Sequence, residues 1–250
     1  MSEVSSVRFF PLKGGKAFEQ DSLAVNTNVG VVNDRRLGIR RHSGDVTARP
    51  EPFKKGEYHV CANNPAMATQ FPNFVFDNLD TYELASAERL ERVGQRIGAE
   101  GSLLLHDTRG AYHLCDTSGP QVSFLNLATL RAFEKFAGVE VGPDRFRMNV
   151  WIAGLPAFAE YDWVDKYPGT REIMVGDVRM RIDDACERCK APHANPKTGE
   201  FDLNVVPELK RFMDARGYKS PHRGISMVMG VYGVVLSDGV IRPGDQIRLV

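Results

Sequence analysis

Short apolar runs, broken every few positions by Gly, Pro, Asn or Asp, dominate this chain. Runs of that kind, rich in Val, Ile and aromatics, read as β-strands. Strands are expected over Val4–Phe10, Gly38–Arg41, Tyr58–Ala62, Ser102–His106, Ala111–Cys115, Phe146–Ala153, Glu172–Ile182 and Ile225–Leu236. Gly176-Asp177 and Asp238-Gly239 are the expected tight turns, and the tail from Val240 to Val250 reads as two short strands around Pro243-Gly244-Asp245. Helical spacing is rarer. Leu127, Leu130, Phe133 and Phe136 form one apolar stripe, with Asn126 placed to cap it and Gly138 to stop it. Val206–Arg216, with Pro207 in its first turn and Gly217 at its end, predicts a second helix, and Glu83–Ile97 is a third candidate. Many strands with two or three helices predict a mainly β protein built on a closed or nearly closed barrel. The segment after Ile225 is expected to close it.

Bulk properties narrow the function classes. The 250 residues fit one large domain or two small ones. Lys plus Arg number 32 and Asp plus Glu number 32, so the net charge is zero. That balance argues against general nucleic-acid binding but leaves room for a local basic pocket. The start, Met1–Phe10, has no basic segment followed by an apolar one, and no uncharged run approaches the ~18 residues of a membrane span. The expected location is cytoplasmic, with no membrane span. The four cysteines, Cys61, Cys115, Cys186 and Cys189, are too few for a disulfide scaffold and read as free thiols.

The run Cys186-Glu187-Arg188-Cys189 carries the strongest chemical signal. A thioredoxin-type pair should open a helix, whereas Pro192 and Pro196 follow here. A zinc site needs two more ligands, for which His193 and His222 are available. A haem attachment needs His where Lys190 stands. Two idle thiols, or one thiolate on a soft metal or cofactor, complete the alternatives. Cationic elements are scattered along the chain: Lys13-Gly14-Gly15, Asp34-Arg35-Arg36, and Arg145-Phe146-Arg147-Met148-Asn149. On a strand, the last would put Arg145, Arg147 and Asn149 on one face as convergent donors for a phosphate. Asp116-Thr117-Ser118-Gly119 is a loop that caps a helix or binds an anion.

In this order, these pieces resemble the MOSC family, the C-terminal domain of molybdenum cofactor sulfurases, preceded by the β-rich domain that accompanies it. Amidoxime-reducing components are its relevant functional relatives. The resemblance runs through Pro11-Leu12-Lys13, Asp34-Arg35, Thr47-Ala48-Arg49, Asp116-Thr117-Ser118, Arg145–Asn149, Cys186–Cys189 and Asn195–Gly199 to Gly239–Asp245. It implies an N-terminal β domain over 1–108 and a barrel domain over 109–250. It implies a molybdenum cofactor (molybdopterin), with Cys189 as the thiolate on the metal. Lys13, Arg35, Arg147, Asn149 and Arg188 would contact the pterin and its phosphate, and Thr117 and Ser118 would line the same pocket. The family also carries the label of pyridoxal phosphate binding. The implied reaction is reduction of small N-hydroxylated substrates, with electrons from a separate reductase. His193, which titrates near neutral pH, reads either as a proton donor near the metal or as a surface histidine. The alternative is a carrier of the cofactor, or of sulfur on Cys189. The chain departs from the family at Gly14, at Met148, and at Lys190-Ala191-Pro192-His193 after the cysteine.

Overall fold

A computed structural model describes residues 2–11, 17–41, 76–78, 83–84, 103–107, 119–164, 171–197 and 201–250. Seven strands close into a barrel: β10 (Val150–Ala153), β9 (Gln121–Asn126), β13 (Val228–Val235), β12 (Val178–Glu187), β11 (Glu172–Val175), β15 (Gln246–Leu249) and β1 (Ser2–Phe9). The seam is β1 on β10, with Glu3 opposite Ala153 and Val7 opposite Val150. The other edge of β1 carries β15 at Ser2 and Glu3, then β2 (Phe18–Gln20) from Val7 to Phe9. One barrel strand thus comes from the first ten residues, and the other six from beyond residue 120. Strands β13 and β15, both after Ile225, supply two of the bridging positions.

Closure leaves no open edge among these seven strands, and their inward residues make one dry core. Val122, Phe124, Val150, Ile173, Met180 and Val231 are all fully buried. Within the barrel, only β9 and β10 run parallel. A parallel pair needs a crossover, and helix α1 (Leu127–Ala137) provides it. Asn126 caps α1 by accepting from the Ala128 amide at 3.0 Å, and Gly138 ends it at φ 69°. Helix α2 (Val205–Asp214) packs on α1 through Phe212 against Phe133, ring centroids 5.4 Å apart. Smaller sheets pair β3 (Leu23–Asn26) with β4 (Gly30–Val31) and β14 (Gly239–Ile241), β5 (Leu37–Arg41) with β8 (Leu103–Asp107), and β6 (Phe76–Asn78) with β7 (Glu83–Leu84).

Two expectations are corrected. Residues Pro143–Phe146 form a 3-10 turn, and the strand starts only at Val150. Pro143 presets the turn, and Glu134 Oε1 accepts from the Val141 and Gly142 amides at 2.9 and 2.8 Å, fixing the chain ahead of it. Glu83 and Leu84 pair with β6 rather than opening a helix; the rest of that candidate lies outside the described residues. The strands expected over Tyr58–Ala62 and Ala111–Cys115 also lie outside them.

Candidate functional site

Two of the expected cationic residues, Arg35 and Arg147, converge at the end of β1. Asp34 is buried, and its Oδ1 accepts from the Phe10 amide at 2.6 Å. The Arg35 amide donates to the Phe10 carbonyl at 2.6 Å. This pair of bonds stitches the 32–35 turn to β1 and holds Arg35 at φ 45°. The Arg35 guanidinium pairs with Asp34 Oδ2 and donates to the Arg147 carbonyl at 3.1 Å. Arg147 is also left-handed, at φ 54°. The two guanidinium carbons lie 5.0 and 4.8 Å from the centroid of the buried Phe10 ring. Non-glycine residues at positive φ carry strain, and they persist only where surrounding bonds over-determine them.

Arg188, one residue past β12, reaches the turn that carries Arg147. Its guanidinium donates to the Phe146 carbonyl at 2.7 Å and lies 4.0 Å from Met148 Sδ. Its Nε is buried and has no hydrogen-bond partner among the described residues. Arginine forks at one buried wall, one of them with an unanswered donor, suit a multiply charged anion such as a phosphate ester. Asn149, by contrast, uses its side chain on the protein. Its Oδ1 accepts from Ser123 Oγ at 2.8 Å and its Nδ2 donates to the Arg8 carbonyl at 3.1 Å, tying β9 to β1. Arg145 also turns away: it forms a bidentate pair with Asp202 at 2.7 and 3.0 Å. The single polar face expected over 145–149 is therefore split three ways. Lys13, Thr117 and Ser118 lie outside the described residues.

The two cysteines are not equivalent. Cys186 sits in β12 where the register against β13 shifts between Ala185 and Glu187, and it is fully buried. Burial pushes its thiol up to about 12, against the pull of Arg188 and a hydrogen bond with Tyr232. It stays protonated at neutral pH. Cys189 lies past the end of β12, half-buried, between Arg188 and Lys190. After it, Ala191–His193 make one 3-10 turn. His193 Nε2 accepts from the Val206 amide at the start of α2, at 3.4 Å. Burial, then Lys190, holds His193 below its ordinary range. The neutral ring therefore carries its proton on Nδ1. Among the described residues, no group of three or more His, Cys, Asp or Glu is arranged to hold a metal ion.

Sequence reasoning missed Phe10 as the platform, the Phe146 carbonyl and Met148 as partners of Arg188, and Tyr232 beside Cys186. Only the Asp34-Arg35 pairing carried a local signal.

Residues 109–248 match the family model of the MOSC domain. Human mitochondrial amidoxime-reducing component 1 is 30% identical over 112 residues, 44% of this chain and 31% of that protein. A molybdenum cofactor sulfurase of Drosophila pseudoobscura pseudoobscura is 23% identical over 133 residues, 50% of this chain and 16% of that protein. The match thus spans less than a third of either relative. The crystal structure of the YUAD protein from Bacillus subtilis aligns over 100% of this chain and 96% of its own, at 15% identity and a TM-score of 0.45. No helix among the described residues is long and apolar enough to cross a membrane.

Proposed function

We propose that this chain, which belongs to the MOSC domain family, holds a molybdenum cofactor through Cys189 and reduces small N-hydroxylated compounds. The observation that carries the reading is a half-buried thiol one residue past Arg188, whose guanidinium shares a wall with Arg35 and Arg147. Arg35, Arg147 and Arg188 would hold the cofactor's phosphate, with Lys13, Thr117 and Ser118 as further contacts. Asn149 would act indirectly, by fixing β9 against β1 behind the turn that presents Arg147. Cys189 would anchor the metal, since a thiolate suits a soft centre. When bound, the cofactor supplies the two electrons and a Lewis-acid centre. The overall reaction cleaves the N–O bond, consumes two electrons and two protons, and releases water with the amine or amidine. His193, neutral and with Nε2 accepting from the Val206 amide, would offer its Nδ1–H as a hydrogen-bond donor to the substrate oxygen, while both protons come from solvent. A separate reductase is the electron source in this reading.

The test compares two substitutions in cofactor-loaded protein. Cys189→Ser is expected to lose molybdenum and reduction of benzamidoxime by an artificial donor, while circular dichroism stays unchanged. Cys186→Ser is expected to keep both. Equal damage from the two would favour a paired-cysteine site. Stoichiometric molybdenum without turnover would favour the carrier reading.

A further inference from the structure

Glu160 is the buried ionisable group that the proposed reaction leaves unused. It is fully shielded from solvent in the 3-10 turn Ala159–Trp163. Its Oε2 accepts from Asn126 Nδ2 at 2.7 Å, and the same amide donates to the Pro156 carbonyl at 2.8 Å. Asn126 is the cap of α1. One turn into that helix, Thr129 Oγ1 accepts from the Phe158 amide at 2.7 Å. Residues 156–160 are thus clamped to the start of α1 by three side chains. The next residue extends the clamp to the barrel: Tyr161 Oη accepts from the Gly230 amide in β13 at 3.2 Å. Gly230 in turn lies against Met148, where an added Cβ would meet Cε at 2.6 Å. Met148 is the neighbour of Arg188.

The clamp keeps the Glu160 carboxyl out of water. Glu160 Oε1 is buried with no hydrogen-bond partner among the described residues. The charge that acts on Glu160 is Asp162 on its own turn, of like sign. Tyr161 on the same turn and Tyr218 beside it feel its charge, and Asp184 and Asp162 act on Tyr218 in the same sense. Arg216 is a cation on this side of the barrel, and it stacks on the Phe158 ring at 3.6 Å. α1 contributes only the neutral Asn126 and Thr129. Ionised, Glu160 would be a carboxylate out of water with no counter-ion among the described residues, which is costly.

We infer that residues 154–164 form a proton-controlled latch on the barrel wall, shut while Glu160 is protonated and released when it ionises. Burial raises the Glu160 carboxyl to about 7, with the nearby Thr129 hydroxyl and the Asn126 bond pulling down and Asp162 pushing up. The closed form therefore binds the proton more tightly than an open form near the ordinary 4.5. Closure is fully present below that lower value and is lost as pH rises through the upper one, by up to about tenfold per pH unit.

Hydrogen exchange read by NMR tests this on the protein without added cofactor. The Ala128, Phe158 and Gly230 amides report the three contacts. Their protection factors, corrected for intrinsic exchange, are expected to fall up to about tenfold per pH unit between pH 5 and 7. Barrel amides such as Val231 are expected to stay flat. In Glu160→Gln the three reporters are expected to be flat as well. Should that variant fail to fold, Asp162→Asn removes an exposed like charge and is expected to end the fall at a lower pH. Flat reporters in the natural protein, an unchanged slope in Glu160→Gln, or an unmoved upper end of the fall in Asp162→Asn would each overturn the latch.

Discussion

Replacing Gly230 by Ala tests the tightest approach behind the candidate site. Gly230 has φ 79°, where a Cβ costs about 1 kcal/mol in strain alone. The new methyl would also stand 2.2 Å from the Phe124 carbonyl oxygen and 2.6 Å from Met148 Cε. Met148 has flexible torsions and can yield. The Phe124 oxygen belongs to β9, paired with β13 through Phe124 and Val231. Moving it disrupts ladder hydrogen bonds of about 1 kcal/mol each and adds an overpacking cost of about 1–3 kcal/mol. The sum is roughly 3–5 kcal/mol. Gly138, at φ 69° with nothing within 4 Å of its added Cβ, isolates the strain. Its replacement by Ala should cost about 1 kcal/mol. In thermal unfolding followed by circular dichroism, a chain of this size loses about 2–4 °C per kcal/mol. The expected drops are about 3 °C for Gly138→Ala and about 10 °C or more for Gly230→Ala. Equal drops would refute the backbone approach, and with it the tight wall behind Met148.

Two further outcomes follow from charges around the Cys189 segment. The Arg145 fork holds the Asp202 carboxyl down to about 2, from an ordinary 3.8, so the stability it lends is present above 3.8 and lost as pH falls through 2. Asp202→Asn should flatten that acid limb in a pH series of urea midpoints; with the carboxyl 36% exposed, the loss at neutral pH should be about 1 kcal/mol or less. His193 is held below its ordinary 6.5 by burial and Lys190, so the bond from Val206 is present above that value and is lost as pH falls. An NMR titration of its ring should give a midpoint under 6.5, and one at or above it would remove the ring as acceptor for α2.

Local signals were read well where a local cause is sufficient. The stripe from Leu127 to Phe136, the Asn126 cap and the Gly138 stop all describe α1 as it stands. The Gly176-Asp177 turn and the two strands around Pro243-Gly244-Asp245 are likewise in place. Strand order was out of reach. That β1 seals the barrel against β10 depends on pairing over more than 140 residues, for which a short apolar run carries no address. The latch was also invisible, because a Glu between Ala159 and Tyr161 looks like any surface acid until Asn126 and Thr129 are folded against it.

The candidate site shows why residue identity and residue presentation are separate problems. Arg147 was expected on a strand, where alternation would have aligned it with Arg145 and Asn149. That arrangement would have carried both neighbours to the same face, yet Arg145 is committed to Asp202 and Asn149 to Ser123 and Arg8. The left-handed turn at Arg147 resolves the conflict: it separates the three and leaves Phe146 and Met148 buried on either side. Arg35 pays the same conformational cost on an unrelated turn, and both guanidinium groups reach the Phe10 ring. Each strained residue costs on the order of 1–3 kcal/mol. Neither is required by the barrel, since the strands they precede begin two or three residues later, at Leu37 and Val150. What the strain secures is the convergence of two cations from positions 112 residues apart, and the proposed anion contact rests on that convergence.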